Sequence, residues 1–408
     1  MTLLKNHKIL ILLDQGLFSG TSFLITVLLA RILDMESFGA YSGFVLVIYL
    51  VVSGTGAFII QPFQVLLGKV KDPQQYATFA FWFQVFVIGL VVLFGIGLHT
   101  IFTTYFPATL LCFAAGFLLH DFGRRVLLAL NRPLQTLILD AASSSVYMIV
   151  IYTYVTMDVN NMGLLYAYLS LSYSISLILL IIFLKPFYLQ KKNVLNHLSN
   201  HFREGKWLFF TAVAQWWSGN LFIVASGVYL GAAALGALRL AQSLMGVLNV
   251  LLQTFENYIL PQTAIKINRM PSEGLSYVTD ISRKVGLLFL PLLVIIFLFA
   301  EQIFVIAGGQ DYATFAFLLQ GMAVLYLLIF LNQPIRLLIR ATLLNQHFFY
   351  GYLINLAFAL LCTHGLLSVF GLQGAIMGLA ASQLLLIAYW TFILQKSNIY
   401  LWRSFISF

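Results

Sequence analysis

Charge is scarce in this sequence. Asp, Glu, Lys and Arg make up 9% of its 408 residues, about a third of what a soluble domain carries. Acids are scarcer still, 13 against 22 Lys and Arg. The two cysteines, Cys112 and Cys362, both lie inside apolar runs, where a thiol acts as a small apolar side chain and reports nothing about redox compartment. Catalytic signatures are missing too. The phosphate-loop pattern GxxxxGK[ST] does not occur: Gly68-Lys69 is followed by Val70 and lacks the upstream glycine. The chain therefore carries no ATPase of its own. Neither the zinc-protease spacing of two histidines and a glutamate nor a G-x-S-x-G elbow is found. His120 and His364 are single histidines and suggest no metal site. No cofactor is expected.

What fills the chain instead is apolar. Hydrophobic residues are 61% of the total. A helix needs roughly 20 residues to cross the ~30 Å hydrocarbon layer, so this content matches roughly twelve crossings. The runs are too long and uniformly apolar for barrel strands. The spacing predicts spans at 9–31, 38–61, 77–98, 106–129, 135–157, 161–184, 207–230, 236–261, 285–305, 313–340, 348–369 and 372–394. The first is too long for a removable signal peptide and is interrupted by Asp14 and Gln15, so it is expected to remain as a span.

The few charges are ordered. Lys5 and Lys8 precede the first span, and Lys69 and Lys71 follow the second. Arg124, Arg125 and Arg132 accompany the end of the fourth. Lys185, Lys191, Lys192, Arg203 and Lys206 lie between the sixth and seventh. Lys266, Arg269, Arg283 and Lys284 follow the eighth, Arg336 and Arg340 close the tenth, and Lys396 and Arg403 follow the last. Of all the cations only Arg31 and Arg239 fall on the other side, with the acids Asp34, Glu36, Asp158 and Asp311. Lys and Arg are retained on the cytoplasmic side during insertion. Both ends are therefore expected in the cytoplasm, and the net charge of +9 is an orientation signal that also meets anionic head groups. Nucleic acid is not an expected partner.

The basic gap at 185–206 divides the spans six and six, giving an N-terminal lobe at 1–184 and a C-terminal lobe at 207–408. The halves look related. Ser19-Gly20 and Phe38-Gly39-Ala40 in the first correspond to Ser218-Gly219 and Leu235-Gly236-Ala237 in the second. Met162-Gly163-Leu164 and Gln373-Gly374-Ala375 open the two closing spans. With six spans each, the halves would be related by an axis along the membrane normal. The expected architecture is an all-α polytopic membrane protein of two six-helix lobes around a central cavity.

Polar residues recur at helical spacing. Gln15, Ser19, Ser22 and Thr26 share a face, as do Thr211, Gln215, Ser218 and Ser226. Thr136, Asp140, Ser143, Ser144, Tyr147 and Tyr154 align on the fifth span, and Arg239, Gln242, Asn249, Gln253 and Glu256 on the eighth. Unpaired polar groups in lipid cost several kcal/mol, so these faces are expected to meet each other or water. For the serines and threonines, ordinary helix packing suffices as an explanation. Asp121 with Arg124 and Arg125 has the spacing of a structural ion pair. Arg31 is placed like a snorkelling interfacial arginine, and Arg336 and Arg340, after Pro334, like an inner-interface anchor. Arg239, Glu256, Asp140 and Asp14 have no such simple reading.

The stretch from Asp14 to Ser42, DQGLFSGTSFLITVLLARILDMESFGAYS, resembles the start of the polysaccharide transporter family, which includes O-antigen and lipid-linked oligosaccharide flippases. Its members open with a small, polar first helix, then Ala-Arg-x-Leu, an acidic turn and Phe-Gly. Ala30-Arg31-Ile32-Leu33 and Phe38-Gly39 match; Asp34 stands where the family commonly has glycine. The same superfamily, the multidrug/oligosaccharidyl-lipid/polysaccharide exporters, also contains multidrug exporters and the flippase for the peptidoglycan lipid precursor, so the fold leaves the substrate open.

The resemblance implies a flippase for a polyprenyl-diphosphate-linked oligosaccharide. The lipid-linked oligosaccharide and membrane lipids would be its partners, with a polysaccharide polymerase and a chain-length regulator alongside it. Arginine suits a diphosphate because its planar fork pairs two oxygens at once. Arg239 ranks first for that role, then Arg124 and Arg125, with Arg31, Arg336 and Arg340 behind. Gln15, Gln242, Asn249, Gln253 and the face of Tyr147 and Tyr154 would hold sugar hydroxyls. Asp14, Asp140 and Glu256, with Asp121, would pair these cations when the site is empty, or bind a coupling ion. The runner-up is a cation-coupled exporter of small amphipathic compounds, in which the acids outweigh the arginines. An enzyme of polyprenyl-linked sugar metabolism would need catalytic groups that the short outer loops do not carry.

Overall fold

The computed structural model describes residues 7–101, 107–157, 161–187 and 191–401. Lys5, Asp158 and Arg403 lie outside them, as do the side chains of Lys8, Lys191 and Lys192. Every regular element among the described residues is helical. In chain order they are α1 (His7–Ile32), α2 (Met35–Thr55), α3 (Gln61–Leu66), α4 (Pro73–Ile101), α5 (Ala108–Ala129), α6 (Pro133–Thr156) and α7 (Met162–Leu184). Then follow α8 (Lys191–Leu230), α9 (Ala232–Leu244), α10 (Gly246–Arg269), α11 (Pro271–Leu298), α12 (Ala300–Gly308), α13 (Ala316–Ala341) and α14 (Asn345–Lys396). A short π-helix, Gly56–Ile60, joins α2 to α3.

The helix boundaries follow local chemistry. Proline opens α4, α6 and α11, where its missing N–H leaves no bond unmade. Asn161 caps α7 by accepting the Leu164 N–H. Asp34 caps α2 by accepting the Ser37 N–H at 2.9 Å, and that donation holds its carboxyl below the usual carboxylate range. The cap is therefore in place at neutral pH and is lost as the pH falls through the lowered value. Asp34→Ala is expected to cost about 1 kcal/mol, measured as a lower unfolding temperature of the purified protein.

Among the described residues nine helices are long and apolar enough to cross a membrane, and the bent pair α9–α10 makes a tenth. Gly371, at φ 55°, divides the 52-residue α14 into two, at the boundary expected between 369 and 372. The 22-residue α5 is also long enough to cross. It carries Asp121, Arg124 and Arg125, and each of these is ion-paired. The protein is an all-α, multi-pass membrane protein with about twelve spans.

Two features differ from the sequence reading. Residues 191–206, expected as a gap between lobes, are helical and continue without a break into 207–230, so that α8 is 40 residues long. Nothing in 193–204 is proline or glycine, so no residue there stops helical propagation. The eighth span, by contrast, is not one helix. It ends at Leu244, restarts at Gly246 and bends by 43°; glycine is a weak point in any helix. The stripe from Arg239 to Glu256 is therefore divided. Gln253 is exposed whereas Glu256 is buried.

The chain forms two compact units, Met1–Ile25 with Val45–Val213, and Thr26–Phe44 with Ala214–Phe408. The first has a core built around Phe63, Tyr76, Phe81, Phe122, Leu139 and Leu180. The second has one around Val278, Ile335, Tyr352, Trp390 and Leu394. Within the second unit the start of α2 crosses the start of α9 at two glycines. A Cβ on Gly39 would lie 1.8 Å from the Ala232 carbonyl oxygen, and one on Gly236 would lie 3.1 Å from the Gly39 Cα. The Phe38-Gly39-Ala40 and Leu235-Gly236-Ala237 motifs thus meet each other, and small residues let the backbones touch. Gly39→Leu is expected to force the two helices apart. The check is thermal unfolding of the purified variant: a lower unfolding temperature is expected, and an unchanged one would refute the contact.

Candidate functional site

Two charged clusters are built inside the helices, one in each unit. In the first unit, His120 and Arg124 share one face of α5 by their i, i+4 spacing. Arg124 donates from Nε to Asp140 Oδ2 of α6 at 2.6 Å and from Nη2 to Asp14 Oδ2 of α1 at 3.0 Å. Its guanidinium carbon stands 3.6 Å from the centroid of the Phe18 ring, a cation–π contact that covers the remaining face. His120 Nε2 lies 3.2 Å from Asp140 Oδ1, and its Nδ1 is 2.9 Å from Ser176 Oγ of α7. All four ionisable groups are buried, the two aspartates to 1% exposure.

Two carboxylates face one guanidinium here, leaving one excess negative charge when His120 is neutral. Asp14 Oδ1 has no hydrogen-bond partner among the described residues. An uncompensated charge in a low-dielectric interior costs several kcal/mol. A proton or a small cation removes that cost.

Asp121, one residue along α5, takes a different partner. It pairs with Arg125 at 2.9 Å, and Arg125 is 42% exposed. The i, i+4 half of the expected ion pair is present. Arg124, at i+3, turns inward to Asp14 and Asp140.

In the second unit, Arg336 and Arg340 are one turn apart at the end of α13, and both reach Glu256 on α10. Arg336 Nη2 is 3.5 Å from Glu256 Oε2, and Arg340 Nη1 donates to Glu256 Oε1. The Glu256 side chain is 9% exposed and those of Arg336 and Arg340 are 30% and 38%. Phe348 lies under both, with ring-centroid distances of 6.0 and 5.9 Å. Tyr352 stands beside this group and accepts a long bond of 3.4 Å from Gln215 Nε2. The balance is reversed: two cations share one acid, and both cations are partly open. Such a site has a net positive charge and forked donors, which suits a phosphate-type anion.

The other candidates are dispersed. Arg239 donates to Gln242 Oε1 on its own helix. Gln15 donates to Ser19 Oγ at 3.0 Å and is exposed, and Arg31 is exposed at the end of α1. Asn249 hydrogen-bonds the Tyr326 hydroxyl. Tyr147 is buried, its ring edge-on to Tyr173 at 5.9 Å. No group of three or more His, Cys, Asp and Glu able to hold a metal occurs among the described residues.

Among the participants that sequence reasoning passed over are His120, Phe18 and Tyr352. For His120 the signal was its i, i+4 spacing to Arg124, which put both on one inward face. Phe18 and Tyr352 gave none, being aromatics among many.

The family model for polysaccharide biosynthesis proteins matches residues 28–316, more than two thirds of the chain. The chain belongs to this family. No curated protein sequence matches it. Solved structures match over nearly its full length. One is an inward-facing multidrug resistance MATE transporter of the MOP superfamily, with a TM-score of 0.74, 12% identity, and 94% of each chain covered. Another is the lipid II flippase MurJ in an inward closed conformation, with a TM-score of 0.69, 12% identity, and 95% of this chain and 87% of that one covered. A third is a MOP superfamily transporter from Pyrococcus furiosus described as having a binding pocket of reversed polarity, at a TM-score of 0.62, 12% identity and 96% of each chain. At such identities the likeness shows the fold. This member of the polysaccharide biosynthesis family has the two-lobed fold of the MOP transporters.

Proposed function

We propose that this protein is a flippase that carries a polyprenyl-diphosphate-linked oligosaccharide from the cytoplasmic to the outer leaflet by alternating access, for cell-surface polysaccharide synthesis. The observation that carries this reading is the pairing of a polysaccharide biosynthesis family with a transporter fold, a fold shared with a lipid II flippase. The physics agrees. Sugars and diphosphate cannot cross hydrocarbon, whereas the polyprenyl tail never needs to leave it. In this reading the protein is a transporter and not an enzyme. It sits in the cytoplasmic membrane with both termini inside, as the alternation of Lys and Arg supports, and it serves a polysaccharide polymerase and chain-length regulator on the outer side. Its lobes are 1–184 and 207–408, with 185–206 between them.

The two clusters divide the work by sign. Arg336 and Arg340 take the diphosphate, exchanging Glu256 for substrate oxygens, and Arg239, Arg31 and Arg125 guide it electrostatically. Gln15, Gln242, Asn249, Gln253 and Tyr147 meet sugar hydroxyls. Asp14 and Asp140, with Arg124 between them, hold the compensating cation or proton. An inside-negative potential favours outward movement of an anion by roughly 2.3 kcal/mol per charge per 100 mV.

The test is transbilayer movement of a polyprenyl-diphosphate oligosaccharide in vesicles containing the purified protein, with Arg239→Ala alongside. Movement that needs the protein and fails in the variant supports a flippase guided by that arginine. Full movement in the variant removes Arg239 from the path. The second reading, a cation-coupled exporter, draws on the surplus acid of the first cluster and the multidrug transporter neighbours. Its signature is ion-driven export of a small organic cation with no movement of any lipid-linked sugar.

A further inference from the structure

The membrane-proximal segment of α8 carries surface chemistry that transport does not use. Its inner face is fixed to the first unit. His201 is fully buried and its Nε2 lies 2.6 Å from the Tyr76 hydroxyl. The His197 ring centroid is 4.8 Å from that of Tyr76, and Gly205 lies against the Phe58 backbone. The opposite side is open. Leu195, Leu198, Ser199, Phe202, Arg203 and Lys206 border a shallow, open groove of about 480 Å³ along one face of the helix, and Leu195 and Phe202 are 75% and 60% exposed.

Positions 195, 198, 202 and 209 share one helical face, so the apolar strip runs on to exposed Phe209, inside the 207–230 stretch read from the sequence as a span. One rim is cationic. Arg203 shares the exposed Glu204 carboxylate at 3.2 Å. Across 185–206, however, the sequence has Lys185, Lys191, Lys192, Arg203 and Lys206 against Glu204 as the one acid. A soluble partner would have to cover an apolar strip continuous with the bilayer. A phospholipid matches it, with acyl chain along Leu195, Leu198 and Phe202 and phosphate at Arg203 and Lys206.

We propose that this groove on α8 is a binding site for an anionic phospholipid, which seats the segment between the two lobes on the membrane surface. The leaflet is the cytoplasmic one in the orientation proposed above; the binding itself does not depend on that orientation or on flippase activity.

Trp207, one turn beyond Arg203 and 68% exposed, is a built-in reporter. The full-length protein is placed in phosphatidylcholine vesicles containing phosphatidylglycerol, with brominated acyl chains on one lipid or the other. Quenching of Trp207 is read as the difference from Trp207→Phe. Brominated phosphatidylglycerol is expected to quench more than brominated phosphatidylcholine, and the preference should fall about tenfold in Arg203→Ala/Lys206→Ala. High salt should erase it in the unmodified protein, a result that needs no variant to fold. The charge-conserving Arg203→Lys/Lys206→Arg should keep it. Equal quenching by the two lipids, or a preference that survives both salt and the alanine pair, would overturn the site. Displacement of phosphatidylglycerol by a polyprenyl diphosphate at equal concentration would overturn the phospholipid assignment and make the groove a loading site for substrate.

Discussion

Removing Arg124 is expected to destabilise the protein more than removing either of its acidic partners. Arg124→Ala leaves Asp14 and Asp140 buried together without their cation, and breaking a buried pair from one side costs about 3–5 kcal/mol. The charge arithmetic makes the comparison sharp. With both carboxylates ionised and His120 neutral the cluster holds one excess negative charge; Arg124→Ala adds a second, whereas Asp140→Asn removes the excess. Asp140→Asn also keeps an oxygen near Arg124 Nε and a shape that fits between α5 and α6. The measurement is thermal unfolding of the three proteins in one detergent. If Asp140→Asn proves the less stable variant, the cluster is not net negative, and its assignment to a cation or proton fails with it.

The second large effect is expected on transport. Arg336→Ala/Arg340→Ala should lower flipping of a diphosphate-linked oligosaccharide by at least about a hundredfold, since each charge-assisted pair is worth roughly 1.5–3 kcal/mol. That double variant also strands Glu256, buried on α10 with no partner, so loss of fold is a competing explanation. Adding Glu256→Gln to it separates the two: stability should return and transport should not. Arg336→Lys/Arg340→Lys keeps the charge without the fork and is expected to transport at an intermediate rate. Full transport by the triple variant would remove the second cluster from the substrate path.

The spans were legible because the signal for them is local. A run of roughly 20 apolar residues crosses a bilayer whatever its neighbours do. Even the corner at Gly371, whose backbone leaves the helical region at φ 55° and ψ −134°, was marked in the sequence by the residues on either side. The 191–206 segment was harder to read, because its polar residues point both to a loop and to an amphipathic helix. Only the packing of His197, His201 and Gly205 against Tyr76 and Phe58 decides between them.

The composition, the crossings, the arginine and aspartate candidates and the repeated Gly-Ala motifs belong to the sequence, since each follows from residue type and spacing along one helix. Which charges meet belongs to the tertiary structure. Arg124 had Asp121 three residues away and took Asp140 and Asp14 instead, because its face of α5 is turned inward and burial strengthens that pairing. Arg336 and Arg340, read as an interfacial anchor, became the partners of Glu256 through the packing of α10 against α13. Spacing ranks the charges that can pair within a helix; packing between helices chooses among them.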